Sequence, residues 1–293
     1  MRNSETMGEG WVVTGAAGML GREWGARIAR EGVKGVRLLD RASCDVADAG
    51  SVARAMGEGT RVVINCAAWT DVDGAEAHEA EATRLNGDAV GVLAARCREV
   101  GATLVHYSTD YVFDGEARAA PYRVDEARRP INAYGRSKAA GEEALEGSGA
   151  SFLMLRTSWL YAAHGKNFVR TIAKASRERE SLRVVNDQRG RPTCCATLVD
   201  LTVRLLAAGA RGTLHGCDDG EATWFDLAGA VAGWVNPRCR VEPCSSAEFP
   251  RPAKRPAYSV LDLGPTRALI GEIPDWRASL ERTLVEMREQ GEA

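Results

Sequence analysis

Three glycines at positions 15, 18 and 21, in the run Thr14-Gly15-Ala16-Ala17-Gly18-Met19-Leu20-Gly21, constrain this chain more than any other feature. They follow a short apolar stretch, Trp11–Thr14, and open a pattern that puts Leu20, Trp24 and Ile28 on one helical face. Glycines so spaced between a strand and a helix permit a tight turn, close backbone approach to a pyrophosphate, and close packing of helix on strand. The helix N-terminus favours the negative charge.

The alternation continues to about residue 157. Apolar runs at 36–39, 61–65, 103–107 and 152–156 are separated by helical patterns at 20–31, 75–100 and 134–145, and another helix is expected at 168–179. This succession predicts the α/β class, a Rossmann-like doubly wound parallel sheet whose strands are covered on both faces. Beyond it the alternation loosens, and residues 236–265 carry Pro237, Pro243, Pro250, Pro252, Pro256 and Pro265, which predicts mostly loop or edge structure. A smaller, irregular C-terminal substrate domain is expected over the strand ends. Residues 1–160, with a returning segment near 194–216, are expected to form the dinucleotide-binding domain, and 161–293 mainly the substrate domain.

Composition excludes several classes. A chain of 293 residues, 45% hydrophobic and 27% charged, buries a full core, which rules out disorder and coiled coil. Thirty-eight basic against forty acidic residues, net −2, with no like-charge block, speak against a nucleic-acid partner. The opening MRNSETMGEG lacks the apolar core of an export signal, and no long apolar window follows, so a soluble, cytoplasmic protein without a membrane partner is expected. Eight cysteines without a Cys-x-x-Cys pair read as free thiols of a reducing compartment. His78, His106, His164 and His215 are scattered, so no protein-held zinc is expected.

Asp40 follows the second apolar run, nineteen residues after Gly21, where a carboxylate accepts hydrogen bonds from an adenosine ribose. That favours NADH, while the adjacent Arg41 suits the 2′-phosphate of NADPH, so both cofactors stay open. Asp45-Val46 suits a short loop against adenine. Tyr134 and Lys138, in Tyr134-Gly135-Arg136-Ser137-Lys138, lie four residues apart on one helix face. A lysine charge there is expected to lower the phenol's pKa and let it pass a proton to a substrate oxygen. Ser108 and Thr109, at the end of the fourth run, offer hydroxyls to the same oxygen.

Together TGAAGMLG, NCAA at 65–68, the hydroxyl of Thr109 and YGRSK resemble the extended short-chain dehydrogenases/reductases. The blocks HYSTDYVFDG at 106–115, LRTSWLY at 155–161, GKNF at 165–168, Asn186-Asp187-Gln188 with Pro192-Thr193, Arg255-Pro256 and Pro274-Asp275-Trp276 look like the dTDP-4-dehydrorhamnose reductases. The resemblance runs in order over about 11–285. It implies reduction of the C4 ketone of dTDP-4-dehydro-L-rhamnose to dTDP-L-rhamnose by NADH or NADPH. It implies Tyr134 as proton donor, Lys138 on the nicotinamide ribose, and Thr109 steadying the developing alkoxide. Asp110 and Trp159 match sugar-binding positions, and Gly18, Met19, Leu20, Asp40, Asp45, Val46, Ala68, Trp69, Thr70 and Tyr107 match cofactor contacts.

Further substrate ligands are nominated by chemistry. The Arg255 guanidinium matches phosphate oxygens, and Asn167 and Gln188 suit either sugar or phosphate, though each of these two equally suits capping a loop. The resemblance also implies a homodimer and leaves magnesium open, with no ligands assignable. Asp110 is followed by Tyr111, not by the glutamate that nucleotide-sugar dehydratases use, so simple reduction is favoured over dehydration. Two alternatives remain: a reductase of another nucleoside-diphosphate 4-keto-deoxysugar, and a non-catalytic nucleotide-binding subunit resembling the β subunit of methionine adenosyltransferase.

Overall fold

Residues 7–116 and 118–291 are described by the computed structural model. Strands β1 (Trp11–Thr14), β2 (Arg37–Leu39), β3 (Val62–Asn65), β4 (Thr103–Thr109), β5 (Ser151–Thr157) and β6 (Gly212–His215) form one sheet in the order β6-β5-β4-β3-β1-β2. Every pairing in it is parallel. The chain leaves β1 for β2 on one side and returns to β3 on the other. The order therefore reverses at β1, and doubly wound sheets hold ligands beyond the carboxyl ends at such a point.

Alternate side chains of the strands serve two cores, because successive residues point to opposite faces. Val13, Ile64, Val105, Leu153 and Leu155 pack with Leu20, Trp24 and Ile28 of helix α1 (Met19–Arg30). Val12, Val63, Leu104 and Met154 pack instead with Val52 of α2 (Ala49–Ala55) and Leu93 of α3 (Ala89–Val100). Helix α4 (Ala133–Glu146) lies against the carboxyl half of β4, and α5 (Cys195–Ala207) packs on α1 before the chain adds β6 to the sheet edge. The expectation that every strand is covered on both faces fails at β2. It is an edge strand, and Leu38 is 44% exposed.

Where one or two helices are expected over 75–100, the chain forms three and a π-helical turn. Val72–Ala77 and Glu79–Thr83 are separate short helices, and a π-helical turn, Arg84–Asp88, joins them to α3. The break serves packing: a Cβ at Gly141 of α4 would collide with the Asn86 carbonyl oxygen, so only glycine lets the two elements approach this closely. Strand β4 runs two residues past the expected end, carrying Ser108 and Thr109 into register with Arg156 and Thr157.

The region after β5 holds more regular structure than its loosened pattern suggests. Helices Phe168–Glu178, Trp224–Val235 and Trp276–Glu289 surround a separate core that includes Ile172, Leu182, Val231, Trp276 and Leu284. Its strand pairs at Leu160–Tyr161 with Thr193–Cys194, and Arg189–Gly190 with Ala222–Thr223, are too short to show a period. Within the proline-rich stretch, Arg240–Cys244 pairs in parallel with Ser181–Val185 as a two-stranded ribbon, in which both strands are edges and Pro243 is tolerated.

Gly141→Ala is expected to destabilise the protein by about 1–3 kcal/mol, the usual range for forcing a methyl into a packed interface. Thermal unfolding checks it, and an unchanged midpoint would mean that the contact yields.

Candidate active site

The glycine turn is shaped by contacts rather than by flexibility. Gly15 has φ +65°, and a Cβ there would strike the Cys66–Ala67 backbone, while one at Gly21 would strike the Gly15 carbonyl. Gly18 caps α1 without a side-chain hydrogen bond, leaving the first helical N–H groups to an outside acceptor. A diphosphate fits this cradle. Asp40, exposed just past β2, accepts from Ser43 N at 2.9 Å and Ser43 Oγ at 2.7 Å, which holds its carboxyl below the usual range. Leu20 and Val46 are core residues, Met19 is half-buried, and Asp45 Oδ1 caps its own loop through Ala47 N at 3.0 Å.

Beyond β3, Ala68 and Thr70 are exposed beside Trp69, whose backbone is clasped from both sides by the amide of Asn86. Trp69 N donates to Oδ1 at 2.9 Å and Nδ2 donates to the Trp69 carbonyl at 3.0 Å. Asn86 Nδ2 also reaches Ser137 Oγ at 2.9 Å, tying this loop to α4. Asn86 escaped the sequence reading. The Asn86-Gly87 pair inside a helical pattern was the available signal, since such a pair marks a break.

Tyr134, Thr109 and Asp110 come together where β4 ends and α4 begins. Asn132 caps α4 through Gly135 N at 2.7 Å, and Gly135 allows the helix end to press on the Tyr111 carbonyl. Thr109 stands beside the Tyr134 phenol, and its hydroxyl donates to Asp110 Oδ1 at 2.9 Å and accepts from Tyr111 N at 3.2 Å. Asp110 is buried, Oδ2 has no partner, and burial pushes its carboxyl up to about 7, with the Ser259 and Thr109 hydroxyls opposing. Burial and the nearby Asp110 push the Tyr134 phenol upward, with Thr109 opposing.

Two expectations need correction here. Lys138 does not lower the Tyr134 pKa in this geometry, because Nζ points to the Tyr107 carbonyl, 2.6 Å, and to His106 Nε2, 3.3 Å. Ser108 does not share the oxygen facing Thr109, because Oγ donates to buried Glu142 at 2.6 Å. The Tyr107 hydroxyl is turned into the core, where it meets Trp24 Nε1 at 3.1 Å and Thr202 at 3.0 Å, while its carbonyl accepts from Lys138.

The nominated substrate residues divide. Trp159, two residues past the end of β5, has the left-handed φ of +50°, and its indole stacks on Trp224 at 3.7 Å between centroids. Gly190 lets the chain pass against that indole. Gln188 is committed to the wall, accepting from Trp224 Nε1 at 3.1 Å and donating to Ser246 Oγ at 2.8 Å. Asn167 is a cap: Oδ1 accepts from Arg170 N at 3.1 Å and Nδ2 donates to the Ala162 carbonyl at 2.9 Å. Arg255 is paired with Asp73 at 2.5 Å, and Arg251 joins the same carboxylate at 3.1 Å. Its fork is therefore held by a side chain that the sequence reading did not consider.

The family described as the RmlD substrate binding domain matches residues 11–289. A dTDP-4-dehydrorhamnose reductase of Burkholderia thailandensis is 40% identical over 285 residues, covering 91% of this chain and 95% of the relative. The chain belongs to the dTDP-4-dehydrorhamnose reductase family. Among solved structures, a dTDP-4-dehydrorhamnose reductase from Bacillus anthracis in complex with NADP superposes with TM-score 0.91 at 35% identity, over 96% of this chain and 100% of that one. A probable dTDP-4,6-dihydroxy-2-methyloxan-3-one 4-ketoreductase of Streptomyces antibioticus is 43% identical, covering 92% of each chain. The reductase family thus includes relatives named for different keto sugars at similar distance.

Among the described residues of this family member, no group of three or more His, Cys, Asp or Glu side chains is placed to hold a metal ion, and no helix is long and apolar enough to cross a membrane. The magnesium left open by the resemblance gains no ligands.

The raised Asp110 pKa makes a stability prediction. Below its ordinary value of 3.8 both states bind the proton, and between there and about 7 only the folded form keeps it, so stability falls as pH rises through that window. Asp110→Asn is expected to make the fall shallower, with Asp218, also raised to about 7, supplying the remainder. Denaturant midpoints measured from pH 4 to 8 read this; parallel curves for variant and wild type would refute it.

Proposed function

We propose that this chain reduces the C4 ketone of dTDP-4-dehydro-L-rhamnose to dTDP-L-rhamnose, with NADPH or NADH as reductant. The observation that carries the reading is the placing of Thr109 beside Tyr134 at the carboxyl end of the sheet, with Lys138 one turn further along the same helix against the Tyr107 carbonyl of β4. Family membership supports reduction of a dTDP-4-keto sugar. In this reading residues 1–160, with the returning 194–216 segment, hold the dinucleotide, and 161–293 supply most of the sugar nucleotide's contacts.

The nicotinamide supplies a hydride when bound. Gly15, Gly18, Gly21 and the uncapped start of α1 receive the diphosphate, and Asp40 receives the adenosine ribose. The Thr109 hydroxyl, rotated from Asp110, donates its one proton to the carbonyl oxygen and stabilises negative charge as it develops there, and Tyr134 delivers the proton. A phenol with a raised pKa keeps its proton until an oxygen more basic than itself stands against it, as an alkoxide does. Trp159, backed by Trp224, forms an apolar wall for the deoxyhexose, and Asp110 offers its unpartnered oxygen to a sugar hydroxyl.

A second reading, reduction of a different dTDP-4-keto sugar, is favoured by the Streptomyces relative named for another substrate. The decisive experiment is NAD(P)H oxidation by the purified protein with enzymatically generated dTDP-4-dehydro-L-rhamnose, the product identified by NMR. Formation of dTDP-L-rhamnose establishes the reading; nucleotide binding without turnover moves it to another keto sugar or to a regulatory subunit. Tyr134→Phe is expected to lower kcat by about 10²–10⁴ while leaving the Kd for NAD(P)H nearly unchanged. Wild-type-like kcat in that variant would remove Tyr134 from the mechanism.

A further inference from the structure

A buried string of hydrogen bonds runs from the glycine turn to Lys138, and its polarity is determined at one end. The backbone N–H of Ala67 donates to Asn65 Oδ1 at 3.1 Å, and Thr14 Oγ1 donates to the same oxygen at 2.8 Å. A main-chain N–H has no alternative polarity, so this atom of the amide is the oxygen and the other is the NH₂ group. Asn65 Nδ2 therefore donates to His106 Nδ1, 3.2 Å away. Neutral imidazole carries one proton, and with Nδ1 accepting, that proton sits on Nε2. Nε2 faces Lys138 Nζ at 3.3 Å.

An ammonium has three donors and no lone pair, so it meets Nε2–H donor to donor. An amine accepts that N–H and still donates to the Tyr107 carbonyl at 2.6 Å. We propose that His106 is a positioning residue that, oriented by Thr14 and Asn65, presents Nε2–H to Lys138 and so favours the amine form of the lysine. The inference rests on the reading of Lys138 as a member of the catalytic group. It connects the turn that receives the diphosphate to the lysine that receives the ribose through side chains buried beneath both.

The electrostatics agree with the wiring. Burial lowers Lys138 to about 8 against the pull of Glu142, and burial together with Lys138 keeps His106 neutral, well below its ordinary value. The groups that face Lys138 are His106 and the Tyr107 carbonyl from β4, with Glu142 one turn on and Tyr134 one turn back along α4. Glu142 is already shared between Arg156 at 2.7 Å and Arg128 at 3.1 Å, so its claim on the lysine is weakened.

The test is NMR on the whole protein, labelled at its four histidines and five lysines. Nitrogen shifts are expected to show His106 protonated on Nε2 alone, and the Lys138 side-chain carbons are expected to titrate near pH 8. In His106→Gln, whose carbonyl oxygen can accept from an ammonium, the Lys138 titration is expected to move up by about one pH unit. Asn65→Asp should reach the same result by another route, turning the His106 proton to Nδ1. A His106 proton on Nδ1 in the wild type overturns the proposal, as does an unmoved Lys138 titration in a folded His106→Gln. If that variant fails to fold, the wild-type tautomer decides. None of these shifts requires turnover, so failure of the keto-sugar assay is read separately.

Discussion

The buried Glu142 carboxylate holds the site to the sheet. It is fully enclosed on α4, where it takes Arg156 of β5 through two nitrogens, Ser108 of β4 through its hydroxyl, and Arg128 from the preceding loop. Burial alone would raise its pKa, but Arg156, Ser108 and Arg128 outweigh that and hold it below its ordinary value. Breaking such a pair leaves an uncompensated buried charge, a loss of about 3–5 kcal/mol. Because Glu142 lies one turn beyond Lys138 on the same face, the interaction that seats the helix also sets the depth at which the lysine meets the strand.

Around this anchor the later part of the chain is drawn over the strand ends by polar contacts. Asn132, which caps α4, donates to the Lys254 carbonyl at 2.8 Å, and the Arg255–Asp73 pair ties the proline-rich loop to the helix after β3. On the other side, His164 Nε2 lies 3.2 Å from the Met19 carbonyl in the glycine turn. The candidate site is thus flanked by elements distant in sequence. Much of the chemistry around it, including the Trp159–Trp224 stack held by Gln188, is internal bracing.

The same bracing sets where the nominated polar side chains find their protein partners. Asn167 and Gln188 were chosen because their amides can bind sugars, yet a buried amide must be satisfied by whatever lies nearest, and for these two that is the protein. Arg255 was chosen as a phosphate ligand, and an acidic residue 182 positions away occupies it. A carboxylate at that separation leaves no local trace in the sequence. Ser108 and Thr109 are adjacent, but strand alternation sends one hydroxyl to Glu142 under the helix and the other to Asp110, beside the Tyr134 phenol.

The sequence by itself determined the parallel sheet, the glycine turn and the Tyr134–Lys138 face, because each is encoded in short-range spacing: apolar runs, glycines three apart, and side chains one helical turn apart. Only the tertiary structure decided the partners of the polar side chains. It broke the 75–100 helix at Asn86 so that α4 could approach, left β2 half-exposed at the edge, and turned the Tyr107 hydroxyl inward. It also aimed Lys138 at His106 instead of Tyr134. The physical reason is that a buried donor or acceptor must find its complement within about 3 Å, and the fold, not sequence proximity, sets what stands at that distance.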